Sequence, residues 1–76
     1  MSATSHPDYQ RFRERLRAAR HQAGLTQAEV ARRLGRTQAF VSKCESGERR
    51  VDVVELAAFA RLYSKELKFF VGRGRS

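Results

Sequence analysis

The chain reads as an all-α domain of five short helices, and three observations carry that reading. Apolar residues recur at steps of three and four, which places them on one face of a helix. Glycines stand where several of those stripes end. Two of the segments open on a Thr or Asp followed three residues later by Glu, the pattern of a reciprocal N-terminal cap. No stretch alternates at the two-residue period of a half-buried strand, and no internal repeat is present.

The first helix begins near Pro7 and Asp8, which suit a first turn, since Pro lacks an N–H not needed there and Asp stabilises the helix dipole. It is expected over residues 8 to about 23, with Phe12, Leu16, Ala19 and Ala23 inward and Gly24 as its left-handed stop. Thr26 and Glu29 form a capping box for a second helix over 27–34 that buries Val30, Ala31 and Leu34, and Gly35 ends it. Thr37 caps a third helix over 38–46, stopped by Gly47. Asp52 and Glu55 form the second box, opening a helix to about residue 63 with Leu56, Phe59, Ala60 and Tyr63 inward. Ser64 is expected to cap a short fifth helix with Leu67, Phe70 and Val71 on one side and Phe69 on the other. The organisation is thus a flexible lead over 1–7, one domain over 8–71 and a basic tail over 72–76.

Composition narrows the function. With 41% hydrophobic and 32% charged residues, the 76-residue chain has the balance of a soluble globular domain. Its net charge of +8 favours a polyanionic partner, nucleic acid or an acidic membrane surface, over a merely solvated basic surface. The basic excess is spread along the chain, so charge alone locates no site. The single cysteine, Cys44, excludes an intramolecular disulfide and a multi-cysteine zinc site, and fits a reducing, cytoplasmic setting. Apolar runs are too short for a membrane span, and the first residues lack the apolar segment of a secretory signal. His6 and His21 have no companion at ligand spacing, so no metal is expected. No nucleophile and base fall into a catalytic pattern, so neither an enzyme nor a cofactor site is expected.

The segment 26–45 carries the functional signal. Two short helices joined by a Gly-containing turn cross steeply, which lets one enter a DNA groove while the other braces it. Ala31 is small where the helices approach, Gly35 lies in the turn, and Val41 and Cys44 point back to the core. On a wheel of the third helix, Ala39, Ser42, Lys43 and Ser46 lie opposite that core side and Gln38 sits at the N-terminal edge. Gln can pair bidentately with adenine, Ala39 offers a methyl to thymine, and Ser42 and Lys43 reach base or phosphate acceptors. Phe40 lies about 70° from the core direction, so it either covers the seam between helices or projects toward a sugar or thymine methyl. The cluster Leu67, Phe69, Phe70 and Val71 is too apolar for a free surface: part is expected in the core and the remainder at a dimer seam.

These residues resemble a known family. Gly24-Leu25-Thr26-Gln27-Ala28-Glu29-Val30-Ala31, Leu34-Gly35-Arg36-Thr37-Gln38 and Val41-Ser42-Lys43-Cys44-Glu45-Ser46-Gly47-Glu48-Arg49-Arg50 look like the XRE-type helix-turn-helix of lambdoid phage repressors and Cro. The resemblance implies a five-helix lambda-repressor-like fold with the motif at helices 2 and 3. It also implies that Gln38 is the principal base reader, with Ala39, Ser42 and Lys43 supplying the other base contacts. Gln27, Thr37, Ser46, Arg49 and Arg50 would hold the DNA backbone, and Arg20 and Glu45 would form a structural ion pair. Cys44 departs from the larger residue usual at its position, which leads us to expect slack packing there. The function implied is a sequence-specific regulator, a repressor, binding double-stranded DNA as a homodimer on a palindromic operator. A second reading, an antitoxin that also covers a toxin partner, lacks a disordered neutralising arm in this sequence.

Overall fold

A computed structural model describes residues 6–72, and within them the chain forms α1 (Pro7–Gln22), α2 (Gln27–Leu34), α3 (Gln38–Ser46), α4 (Val53–Tyr63) and α5 (Leu67–Val71). Of the expected lead over 1–7 and basic tail over 72–76, residues 1–5 and 73–76 lie outside the described residues, and Pro7 belongs to α1 rather than to a lead. α1 starts at Pro7 because His6 caps it: the backbone at His6 is extended and its Nδ1 accepts from the Asp8 N–H at 3.1 Å. Pro7 then occupies the first turn, where no N–H is missed. Ala23 is the exposed C-cap of α1 rather than part of its buried stripe, and Gly24 follows at φ +72°.

Both capping boxes form in both directions. Thr26 Oγ1 accepts from the Glu29 N–H at 3.1 Å while Glu29 Oε1 accepts from the Thr26 N–H at 2.8 Å. Asp52 Oδ1 accepts from the Glu55 N–H at 2.7 Å while Glu55 Oε1 accepts from the Asp52 N–H at 3.1 Å. Thr37 caps α3 through the Phe40 N–H at 3.1 Å. Each arrangement satisfies helix N–H groups that have no acceptor within the helix itself.

The C-terminal part differs from expectation. Ser64 does not cap α5; it terminates α4 in the left-handed region at φ +56°, and Glu66 precedes α5 without a side-chain capping bond. α5 also buries a narrower face than its pattern suggests. Phe70 is fully inside, whereas Leu67 is 46% and Val71 62% exposed. A helix of five residues barely exceeds one turn, so it presents a single anchoring side chain to the core rather than a stripe.

The core draws on every helix: Leu16 and Ala19 from α1, Val30 and Ala31 from α2, Val41 and Cys44 from α3, Phe59 and Tyr63 from α4, and Phe70 from α5. Leu34 and Leu56 are partly buried against it. α2 packs most extensively on α3, and α1 spans the domain by packing on both α3 and α5. α1 also fastens the far end, where Arg15 Nη1 donates to the Phe69 carbonyl at 2.9 Å and Tyr9 Oη accepts from the Val51 N–H at 3.0 Å. Phe40 belongs to this core. It is buried, its ring lies parallel to that of Phe59 at 6.2 Å, and it does not project outward.

Candidate nucleic-acid interface

Two carboxylates organise the surroundings of α3, one at its C-terminal end and one at the loop that follows it, and its outward face is left free. The first is Glu45, near the C-terminal end of α3 and 2% exposed. Its Oε2 accepts from Arg20 Nε at 2.7 Å and its Oε1 from Arg20 Nη2 at 3.1 Å, a bidentate fork joining α1 to α3. Arg20 Nη1 also donates to the Leu25 carbonyl at 3.0 Å, so the same guanidinium fixes the α1–α2 connection. The hydrogen bond to Glu45 raises the Arg20 pKa further above its ordinary range, against the opposing effect of burial. Gln27 Nε2 donates to Glu45 Oε1 at 3.0 Å, which brings the first residue of α2 into the cluster. Arg17 Nε stands 3.9 Å from the same oxygen.

Arg13 completes this side. Its Nη1 reaches the carbonyls of Glu45 and Ser46 at 3.3 and 3.0 Å, capping the C-terminal end of α3 with positive charge. Gly47 makes room for it: φ there is +89°, and a Cβ would sit 2.9 Å from Arg13 Nε. Neither Arg13 nor Arg17 has a local sequence signal, because each meets α3 across about thirty residues of chain.

The second carboxylate is Glu55, which closes the α4 capping box and also takes a fork from Arg49, at 2.7 and 2.8 Å. Arg49 Nη1 donates in addition to the Arg50 carbonyl at 2.9 Å. Glu55 therefore ties the α3–α4 loop to the start of α4. The Arg49 hydrogen bonds hold its carboxyl below the usual carboxylate range, against burial, and hold Arg49 correspondingly high. The Arg36 guanidinium lies 3.7 Å from the Phe40 ring centroid, with Nη1 3.7 Å from Glu55 Oε2. Sequence reading missed Glu55 as more than a cap; its spacing from Arg49 crosses a loop whose path the pattern does not reveal.

Between these clamps, Gln38, Ala39 and Lys43 are exposed and Ser42 is half-buried. The side chains of Gln38 and Lys43 form no hydrogen bond or ion pair with any described residue. The residues expected at the DNA backbone are more occupied. Thr37 is engaged in its cap, Gln27 with Glu45 and Arg49 with Glu55. Ser46 Oγ donates to the Lys43 carbonyl and accepts from the Glu48 N–H, both at 3.3 Å. Arg50 is exposed, with its guanidinium 5.8 Å from the Tyr9 ring centroid. Cys44 is wholly buried beneath α3, and burial pushes its thiol upward, away from the reactive thiolate.

A five-helix domain whose second and third helices pack tightly across a glycine turn, with a polar face left outward, is a helix-turn-helix DNA-binding domain. The helix-turn-helix domain family model matches residues 11–64. The chain belongs to this family, in its XRE/Cro-like form. Domains of this family are typically not enzymes. No curated protein matches the chain. Among the described residues, no helix is long and apolar enough to cross a membrane.

Proposed function

We propose that the protein is a sequence-specific regulator, a repressor that binds double-stranded DNA as a homodimer on a palindromic operator, with α3 in the major groove. The observation that carries this is the division of α3. Val41, Cys44 and Glu45 are buried, while Gln38, Ala39 and Lys43 are outward with side chains that bond to no described residue. An outward amide and ammonium on a rigidly held helix are what base-edge readout requires. Gln38 is the principal base reader, assisted by Ala39, Ser42 and Lys43.

Gln27, Thr37, Ser46, Arg49 and Arg50 flank that face and hold the DNA backbone. Arg50 offers there a guanidinium that is hydrogen-bonded to no described residue. Arg49 offers charge, since its fork is already engaged by Glu55. Leu67 and Val71, exposed on the short last helix, supply the seam between two copies together with the half-buried Phe69.

Selection of bound duplexes from random DNA tests the reading. A palindromic consensus with half-sites about one helical turn apart is expected. Enrichment of no sequence would reject sequence-specific binding, and a single unrepeated site would reject the dimer. Leu67→Glu combined with Val71→Glu should shift sedimentation toward monomer, leaving the helical content of the domain in place.

A further inference from the structure

Arg36 is the last residue before Thr37, the N-cap of α3, and three observations single it out. Its guanidinium lies over the Phe40 ring with 3.7 Å to the centroid, a stacked geometry that restricts a side chain otherwise free to rotate. Its Nη1 stands 3.7 Å from Glu55 Oε2, beyond hydrogen-bond distance, and its guanidinium donates no hydrogen bond to any described residue. Its side chain is 42% exposed. Arg49 makes the contrast: it approaches the same ring at 4.8 Å and the same carboxylate, but directs three N–H bonds to Glu55 and the Arg50 carbonyl.

We infer that Arg36 is a further phosphate-contacting residue, an oriented guanidinium beside the N-terminal turn of α3, and that Arg49 acts there chiefly by positioning the loop and Glu55. This rests on the reading of α3 as the helix that enters the groove. A helix entering the major groove by its N-terminal end brings the residues just before it close to the strand that borders the groove. Glu55 is the device that separates the two arginines. It takes the fork of Arg49, and it attracts Arg36 toward Phe40 without occupying its donors. A planar guanidinium with its donors open matches two phosphate oxygens, which a lysine at the same place would meet only as a point charge. No base needs to be read for this contact, so it adds affinity on any duplex.

The test is binding of the full chain to its selected operator and to a short random-sequence duplex across a salt series. Arg36→Met keeps an unbranched apolar chain over Phe40 and removes the charge, and Arg36→Lys keeps the charge. Arg36→Met should weaken both duplexes about tenfold per bound protomer and reduce the salt slope by about one per bound protomer. Its melting temperature should stay at that of the parent. Arg36→Lys should keep the slope and recover part of the affinity. Arg49→Met should instead lower the melting temperature. A parent chain that binds DNA while Arg36→Met shows an unchanged slope would overturn this inference alone. A loss confined to the operator would overturn it too, by making Arg36 a base reader. A parent chain that binds neither duplex would remove the groove reading and this inference with it.

Discussion

Arg20 and Glu45 meet through two hydrogen bonds of 2.7 and 3.1 Å, with the arginine side chain 12% and the glutamate 1% exposed. The pair joins the first helix to the end of the third, and so fixes the third helix against the first. Removing Arg20 leaves the buried Glu45 carboxylate with only the Gln27 amide and the more distant, exposed Arg17. Arg20→Ala is therefore expected to cost about 3–5 kcal/mol in urea unfolding. Arg20→Met combined with Glu45→Leu should recover much of that loss, because no buried charge is then left without a partner. A loss in Arg20→Ala no greater than that of an exposed arginine would show that the pair does not hold the domain together.

Gln38 is exposed and its side chain bonds to no described residue, so its removal should leave the fold alone. Gln38→Ala is expected to cost about 1–3 kcal/mol on the operator and to relax preference at one base pair. The check is competition between operator variants at fixed salt. Equal losses on operator and random DNA would remove Gln38 from the base-reading set.

The two capping glutamates make stability depend on acid. The hydrogen bonds from Arg49 hold the Glu55 carboxyl below its ordinary value of 4.5, and the bond from the Thr26 backbone does the same for Glu29. The unfolded chain then takes up these protons more readily than the folded one. The stability they contribute is complete above the ordinary value and is lost as pH falls through the lower, folded one. Melting temperature followed from neutrality down to about pH 3 should fall. Glu55→Gln, which can still accept from Asp52, should start lower at neutral pH and fall less steeply. A parallel decline in parent and variant would place the acid sensitivity elsewhere.

Gly47 meets two constraints and should be the least replaceable of the turn glycines. Its φ of +89° already disfavours a side chain, and a Cβ would press on Arg13 where that side chain is pinned to the end of α3. At Gly24 and Gly35 a Cβ would meet open space, so only the backbone term applies. Gly35→Ala is expected to cost about 1 kcal/mol, and Gly47→Ala clearly more, in the same unfolding measurement. Equal costs would mean that Arg13 yields freely.

Tyr63 points the other way. Its hydroxyl is buried with no hydrogen-bond partner among the described residues, and burial is the main cause that raises its pKa. An unpartnered buried hydroxyl costs about 1–3 kcal/mol, so Tyr63→Phe should be neutral or stabilising. A destabilised Tyr63→Phe would reveal a partner for that oxygen.

Much of the fold was legible in the chain because it is locally encoded. The Thr26, Thr37 and Asp52 caps bond to N–H groups three residues on, and Gly35 and Gly47 adopt positive φ for reasons internal to the backbone. The bounds of α2 and α3 rest on such short-range chemistry. α5 was harder to read, because a helix of five residues has too little pattern to show which side is buried. Ser64 invites the same error: it looks like a cap for α5 but ends α4, in a left-handed conformation that serine adopts at a cost.

Five helices, the turn between the second and third, and the outward character of Gln38, Ala39 and Lys43 are set by the amino-acid order alone, since each depends on neighbours within a few residues. The direction of Phe40, the capture of Gln27 by Glu45, the capping of α3 by Arg13, and the unequal use of Arg36 and Arg49 around Glu55 are settled only when the helices pack. A long charged side chain has several partners within its reach. Which one it takes depends on where a distant or loop-separated segment places a carboxylate or a carbonyl, and no local pattern records that distance.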